Sequence, residues 1–580
     1  MFPVKRWHTA RVAAVLAMVS ILSSSILVAA KQGPPVIMDR SQVEVQILAL
    51  NDFHGNLLPP SGSSGRVGSV NAGGAEYLAT HVQNLEATNA NTIVVSAGDL
   101  IGASPLLSAL FHDEPTIEAM NLIGLDLNAV GNHEFDEGTT ELSRMQNGGC
   151  HPTDGCLDGT GFAGADFQFL AANVVNHASG NTLFAPYTIK NFNGARVAFI
   201  GMTLEGTPNI VSPSGVAGFD FLDEADTVNA LIPEIQAQDV EAIVVLLHEG
   251  GLPTSLNING CSGVTGAVVD IAERMDDAVD LIISGHTHQP YSCVLGGIPV
   301  TSAFSFGRLL TDIDMRVDRA SKDVTSLTIN NRIVTRDVAL DQRITDLVAH
   351  YTAFAAPIAN RVIGHITADI TRTNDASLEQ PMGNVIADAQ LDATDDAGFG
   401  DAVLSFMNPG GVRADLTYPG SSAGEGDGVV TYGELFTVQP FGNSLVTMTL
   451  TGAQIEQVLE EQFCGLNSPA NGFFFKVLLP SDGFHYTWDA SAAGASSCAG
   501  ADAIDPASIT LNGVALDLAA SYRVTVNSFL ADGGDGFASL KLGTNRLGGA
   551  VDTDAFEAHL AAAEPAGISP AALTRIDVVP

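Results

Sequence analysis

Five short motifs rich in acid and histidine run through the first half of the chain, and each follows directly on an apolar run. Val43 to Leu50 leads into Asp52-Phe53-His54, Ile93 to Ala97 into Gly98-Asp99, and Leu127 to Val130 into Gly131-Asn132-His133-Glu134-Phe135-Asp136. Ala242 to Leu247 leads into His248, and Leu281 to Ile283 into Gly285-His286-Thr287-His288. The runs are short, β-branched or leucine-rich and little interrupted by charge, which predicts strands buried on both faces. Helix-like stretches such as Gly74 to Leu85 and Asp226 to Gln238 alternate with them, so a layered α/β fold is expected. In such sheets ligands collect beyond the carboxyl ends of the strands, where all five motifs then lie.

Carboxylate, amide oxygen and imidazole are the donors that Zn, Mn, Fe or Co sites use. Two such ions roughly 3.5–4 Å apart activate a water and clamp a phosphoryl group, and a carboxylate must bridge them. Asp99 is the natural bridge. One ion then takes Asp52, His54, Asp99 and His288, and the other Asp99, Asn132, His248 and His286. Each piece alone is weak, since Asp-x-His and Gly-Asp are commonly turns and a lone His248 is commonly core. Their order after successive strands is what gives them force.

Asn51-Asp52-Phe53-His54-Gly55, Gly98-Asp99, Gly131 to Asp136 and Gly285 to His288 resemble the calcineurin-like metallophosphoesterase domain, in the variety found in 5'-nucleotidases. The resemblance implies that His133 does not bind metal but sits beside the phosphate, oriented by Asp136. A carboxylate on one imidazole nitrogen sets the tautomer and favours the cation next to a phosphoryl group. In the second half, Asn408-Pro409-Gly410-Gly411-Val412-Arg413, Val438 to Asn443 and Val526 to Phe537 resemble the family's nucleoside-binding elements. By that resemblance Phe441 and Phe529 sandwich a nucleobase, Asp535 binds ribose hydroxyls, and Arg413 and Asn408 meet phosphate or ribose. Many 5'-nucleotidases carry an arginine a few residues before the position of Gly383-Asn384. Here Ser377 to Met382 stand there and Arg372 is the nearest arginine, which leaves terminal-phosphate recognition open.

The fold class expected is α/β. An N-terminal layered α/β-sandwich metallophosphoesterase domain covers 41–335, a linker helix 341–360, and a smaller C-terminal α/β substrate-binding domain 361–578. The linker stripe is Ile344, Leu347, Val348, Tyr351 and Phe354 at helical spacing. Thr451-Gly452-Ala453-Gln454 reads as a capping box before Ile455, Val458, Leu459 and Phe463. Ser61 to Gly74 and Gly420 to Gly428 read as surface loops. Gly420-Ser421-Ser422-Ala423-Gly424 fits a hydrolase-elbow pattern but lacks the flanking strand and helix, so a serine nucleophile is not expected.

Residues 1–30 read as a secretory signal, with Lys5, Arg6 and Arg11 before an apolar stretch closing on Val28-Ala29-Ala30; a retained anchor is the alternative. The six cysteines fit export, and their order suggests Cys150 with Cys156, Cys261 with Cys293 and Cys464 with Cys498, among about fifteen possible pairings. A net charge of −40 argues against nucleic-acid polymers and anionic membranes as partners. It also repels a nucleotide phosphate, so attraction must be local, from two divalent metal ions (Zn, Mn, Co or Fe) and Arg413. The expected activity is release of phosphate from nucleoside 5'-phosphates outside the cytoplasm. Cyclic nucleotides, NAD or UDP-sugars are alternative substrates, a non-catalytic nucleotide-binding surface protein is the other class, and the oligomeric state is open.

Overall fold

The computed structural model describes residues 41–580 apart from 61, 212–214, 399, 420–423 and 472. The signal read in 1–30 and the elbow-like segment at 420–423 lie outside the described residues.

The apolar runs form the central strands of two six-stranded sheets. The first has the order Val324–Ile333, Leu309–Asp318, Gln42–Leu50, Thr92–Ser96, Leu127–Ala129, Gln168–Leu170. The second has the order Pro290–Leu295, Ile298–Ala303, Leu281–Ser284, Ala242–His248, Ala195–Thr203, Tyr187–Phe192. The motif-bearing strands pair in parallel, Gln42–Leu50 with Thr92–Ser96 and Thr92–Ser96 with Leu127–Ala129. Ala242–His248 and Leu281–Ser284 do the same in the second sheet.

Strand alternation sorts each run between two cores. Val45, Ile47, Ala49, Val95 and Leu127 meet Val197, Phe199, Val244, Leu246 and Ile283 between the sheets. Leu48, Leu50 and Val94 face outward onto Leu78 and Val82 of the helix Ala75–Glu86. In the second sheet Val245 and Leu247 face Val228, Ile232 and Ile235 of the helix Glu224–Gln236. The result is helix, sheet, sheet, helix, with both faces of the central strands covered.

Asp280, at the entry to Leu281–Ser284, accepts the Ile243 N–H at 2.8 Å. Burial pushes its carboxyl up to about 7. An unfolded aspartate titrates near 3.9, so this group's stabilising contribution is fully present below that value and is lost as pH rises through about 7. Asp280→Asn keeps the oxygen and removes the charge. It is expected to stabilise by roughly 1–2 kcal/mol at pH 8 and by less at pH 5; urea midpoints that rise equally at both pH values would contradict the assignment.

The helix Gln342–Ala359 stands where sequence spacing places the linker, with the Asp341 side chain capping the Arg343 N–H. It buries Ile344, Val348, Tyr351 and Ala355, whereas Phe354, expected in the stripe, is 46% exposed. At 3.6 residues per turn Ala355 completes the buried face and Phe354 points about 100° away from it.

Beyond the helix, one sheet runs Leu479–Pro480, Leu404–Met407, Ser521–Asn527, Ser444–Thr451, Thr544–Val551. Leu404, Phe406, Met448, Leu450 and Val524 pack on Ile455, Val458 and Leu459 of the helix Gly452–Glu461. That helix begins with the capping box of Thr451 and Gln454. Ser61 to Gly74 differs from an unstructured loop: it holds a 3-10 turn at Gly62–Gly65 and a small hairpin of Arg66–Val67 with Val70–Asn71. Cystines join Cys150 to Cys156, Cys261 to Cys293 and Cys464 to Cys498.

Candidate metal and nucleotide site

The five motifs meet beyond the carboxyl ends of the parallel strands, and the backbone there is unusual. Asp52, His54, Asp99, His286 and His288 all have positive φ, between 47° and 68°. Residues with a Cβ rarely take this conformation, which costs on the order of 1–2 kcal/mol each. Such strain persists where the surroundings over-determine it, typically at functional sites. It turns each side chain into one shared space.

Two groups of donor atoms result, with Asp99 between them. In one, His54 Nε2 lies 3.1 Å from His288 Nε2 and 3.6 Å from Asp99 Oδ2, and His288 Nε2 lies 3.4 Å from Asp52 Oδ1. In the other, His248 Nε2 is 3.1 Å from Asp99 Oδ2 and 3.1 Å from Asn132 Oδ1, which is 2.9 Å from His286 Nδ1. The other Asp99 oxygen accepts the His133 N–H at 2.9 Å.

Tautomers can be read from the outer contacts. His54 Nδ1 lies 2.8 Å from the Gly102 carbonyl and His248 Nδ1 2.7 Å from the Ala97 carbonyl. A carbonyl only accepts, so both Nδ1 atoms carry hydrogen. Burial holds His54 well below the usual imidazole range, so its Nε2 presents a lone pair; at His248 burial opposes the cation, but the charge of Asp99 outweighs it and pushes the imidazole up to about 10, so a metal there displaces the Nε2 proton that faces Asp99. Imidazole nitrogens, carboxylate oxygens and an amide oxygen thus converge at 2.9–3.6 Å. These are the donor types that divalent transition ions take, so the residues fit such ions. Burial first, and neighbouring imidazoles second, hold His286 well below the usual imidazole range, which keeps it in the neutral form a metal needs.

His133 adjoins the first group, its ring 5.0 Å from that of His54. Its Nδ1 lies 2.8 Å from Asp136 Oδ2. Burial opposes the imidazolium, but the charges of Asp136 and Asp99 outweigh it and move His133 upward. Glu134, to which sequence reading assigned no role, is buried between these residues. It accepts the N–H groups of Asp99 at 3.0 Å, Leu100 at 2.9 Å and Gly131 at 2.7 Å, and so clamps the loop that presents Asp99. Its place inside the Gly131 to Asp136 motif was the available signal.

A cavity of about 300 Å³ opens from His133 and His286 toward the second half of the chain, where Asn408, Arg413, Phe441, Phe529 and Asp535 line it. Phe441 stacks on His133, centroids 5.8 Å apart and planes 19° apart, and the Arg413 guanidinium lies 5.8 Å from the Phe441 ring. Phe529 closes over Gly534 so tightly that a Cβ there would sit 2.5 Å from its ring.

Two expectations are modified by tertiary contacts. Asp535, read by resemblance as binding ribose hydroxyls, has each oxygen in a hydrogen bond: Asn408 Nδ2 donates to one at 2.9 Å and Lys476 Nζ to the other at 2.5 Å. Asn408 is itself buried, accepting from Asn527 at 2.9 Å. Lys476 was missed by sequence reading, although it follows Phe473-Phe474-Phe475 and shares the cavity with Phe473 and Phe474. Arg372 is distant from Gly383 in sequence but not from the site. It donates to Ser64 at 3.1 Å, and its charge, after burial, is the leading influence lowering Arg413.

Comparison with known proteins agrees with this geometry. Residues 45–290 match the calcineurin-like phosphoesterase family, and residues 362–542 match the 5'-nucleotidase C-terminal domain. The chain is 32% identical over 501 residues, 85% of its length, to the endonuclease YhcR of Bacillus subtilis, and covers 37% of that relative. It is also 32% identical over 534 residues, 86% of its length, to the cell wall protein Lmo0130 of Listeria monocytogenes, and covers 64% of it. The chain therefore spans about a third to two thirds of the length of these curated relatives. A 5'-nucleotidase precursor from Thermus thermophilus superposes with a TM-score of 0.74 at 25% identity, over 93% of this chain and 99% of that one. With two donor groups around one carboxylate, a two-domain α/β architecture and both halves matched in order, the chain belongs to the 5'-nucleotidase family, a calcineurin-like phosphoesterase domain followed by a 5'-nucleotidase C-terminal domain.

Proposed function

We propose that this protein is an exported phosphohydrolase that releases phosphate from nucleoside 5'-phosphates using two divalent ions. The observation that carries the reading is the single Asp99 oxygen lying between two groups of donor atoms, beside the His133–Asp136 pair and at the mouth of a cavity with aromatic walls. Asp52, His54, Asp99 and His288 would hold one ion, and Asp99, Asn132, His248 and His286 the other. Bound there, Zn, Mn, Co or Fe ions supply a nucleophile from water at neutral pH and offset charge on the phosphoryl oxygens. His133, held by Asp136, stabilises the developing charge or protonates the leaving alkoxide. Arg413, with Arg372 behind it, supplies positive charge in a chain of net charge −40.

Residues 41–335 are assigned to the metallophosphoesterase domain, 341–360 to the linker and 361–578 to the substrate-binding domain. Export rests on the signal read in 1–30 and on the three cystines. Phe441 and Phe529 receive the base. Stacking contributes about 1–3 kcal/mol per base, so Phe441→Ala is expected to lower kcat/KM for AMP by roughly 5- to 150-fold, and unchanged kinetics would remove Phe441 from the base site. The overall reading is tested by phosphate release from AMP, ADP, cyclic AMP, NAD and UDP-glucose with Mn, Zn or Co added, using His133→Ala as control. No release from any nucleotide with any metal would favour a binding protein.

A further inference from the structure

A second set of metal-ligating side chains gathers at the surface, away from the residues lining the cavity: His112, His151, Asp154 and Glu137. His112 follows the short helix Leu106–Ala109 and has a positive φ of 52°. His151 and Asp154 lie inside the loop closed by Cys150 and Cys156, whose Cα atoms are 4.7 Å apart. Glu137 directly follows Asp136.

One Asp154 oxygen is the focus. It lies 3.0 Å from His112 Nε2 and 3.2 Å from His151 Nδ1. A tetrahedral ion with bonds of about 2.0–2.2 Å holds neighbouring donor atoms roughly 3.3–3.5 Å apart, so the two carboxylate–imidazole separations are within a few tenths of an ångström of those in a ligand set. The His112 and His151 rings stack face to face at 3.8 Å and 17°, so one imidazole turns about its side-chain torsions to bring both in-plane lone pairs onto one ion. On its far side His112 Nδ1 lies 2.8 Å from Glu137 Oε2, the carboxylate–imidazole arrangement that orients a ligating histidine. The Asp154 side chain is 45% exposed, which leaves a coordination position open to water.

We propose that His112, His151 and Asp154 form a peripheral zinc site, with Glu137 orienting His112 through Nδ1. Binding removes one proton from His112, whose imidazolium the hydrogen bond to Glu137 otherwise favours up to about 9. It also replaces the 3.2 Å bond from the Asp154 N–H to His151 Nδ1. The ion ties the stapled loop to the segment that carries Asp136.

The test is zinc content of the full chain after dialysis against micromolar zinc, for wild type, His151→Asn and Asp154→Asn. Each variant is expected to hold one zinc fewer than wild type, and wild type to release one more proton on loading. Because this is a difference between chains with the same cavity, it is independent of how many ions that cavity holds. Phosphate release by the variants reports the cavity separately, and mass spectrometry of the Cys150–Cys156 cystine reports an intact loop. Equal zinc in all three proteins overturns the site, as does a difference seen only at millimolar zinc.

Discussion

Asp99→Asn is expected to strip at least one metal ion from the protein and to lower kcat/KM by about a thousandfold or more, the scale at which preorganised charge acts in such sites. The substitution is nearly isosteric. The amide oxygen still accepts the His133 N–H that Asp99 Oδ1 accepts at 2.9 Å, and the Glu134 clamp on the Asp99 N–H is untouched. What disappears is the negative charge placed 3.1 Å from His248 Nε2 and 3.6 Å from His54 Nε2. Metal analysis and phosphate release on the same sample check the result. Wild-type metal content with wild-type turnover would mean that the two donor groups do not share this carboxylate.

His133→Ala should behave differently, because its role is assigned to the proton and the developing charge rather than to metal. Metal content is expected to stay at the wild-type level while kcat falls by about 10²–10⁴, the usual share of a positioned acid–base group. Asp136→Asn leaves the imidazole without the carboxylate 2.8 Å from its Nδ1 and should cost part of the same factor. The double variant should lose little more than His133→Ala alone, since residues acting as one unit are not additive. Loss of metal in His133→Ala would make His133 a ligand, and strict additivity would separate it from Asp136.

Much of the site was legible because its donors sit immediately after apolar strands, and strand period and burial are local properties. Val45, Ile47 and Ala49 alternate with Leu48 and Leu50 between two cores, as a strand covered on both faces requires. The Thr451 capping box was readable for the same reason. Phe354 was misplaced because a near-helical spacing fixes phase poorly when a small residue such as Ala355 takes the core position.

By itself, then, the amino-acid order determined the layered α/β class, the donor types and the succession in which they return to one edge of the sheets. Tertiary structure alone decided which donor atoms converge, since that depends on five residues held at positive φ and on carbonyls at Gly102 and Ala97 that hold the Nδ1 side of His54 and His248. It also decided that Glu134 clamps the Asp99 loop, that Lys476 and Asn408 occupy Asp535, and that Phe441 lies on His133. Each of these joins residues far apart in the chain or turns on side-chain direction. Sequence spacing carries neither, because contact distance falls off over a few ångströms while the chain between the partners runs for up to hundreds of residues.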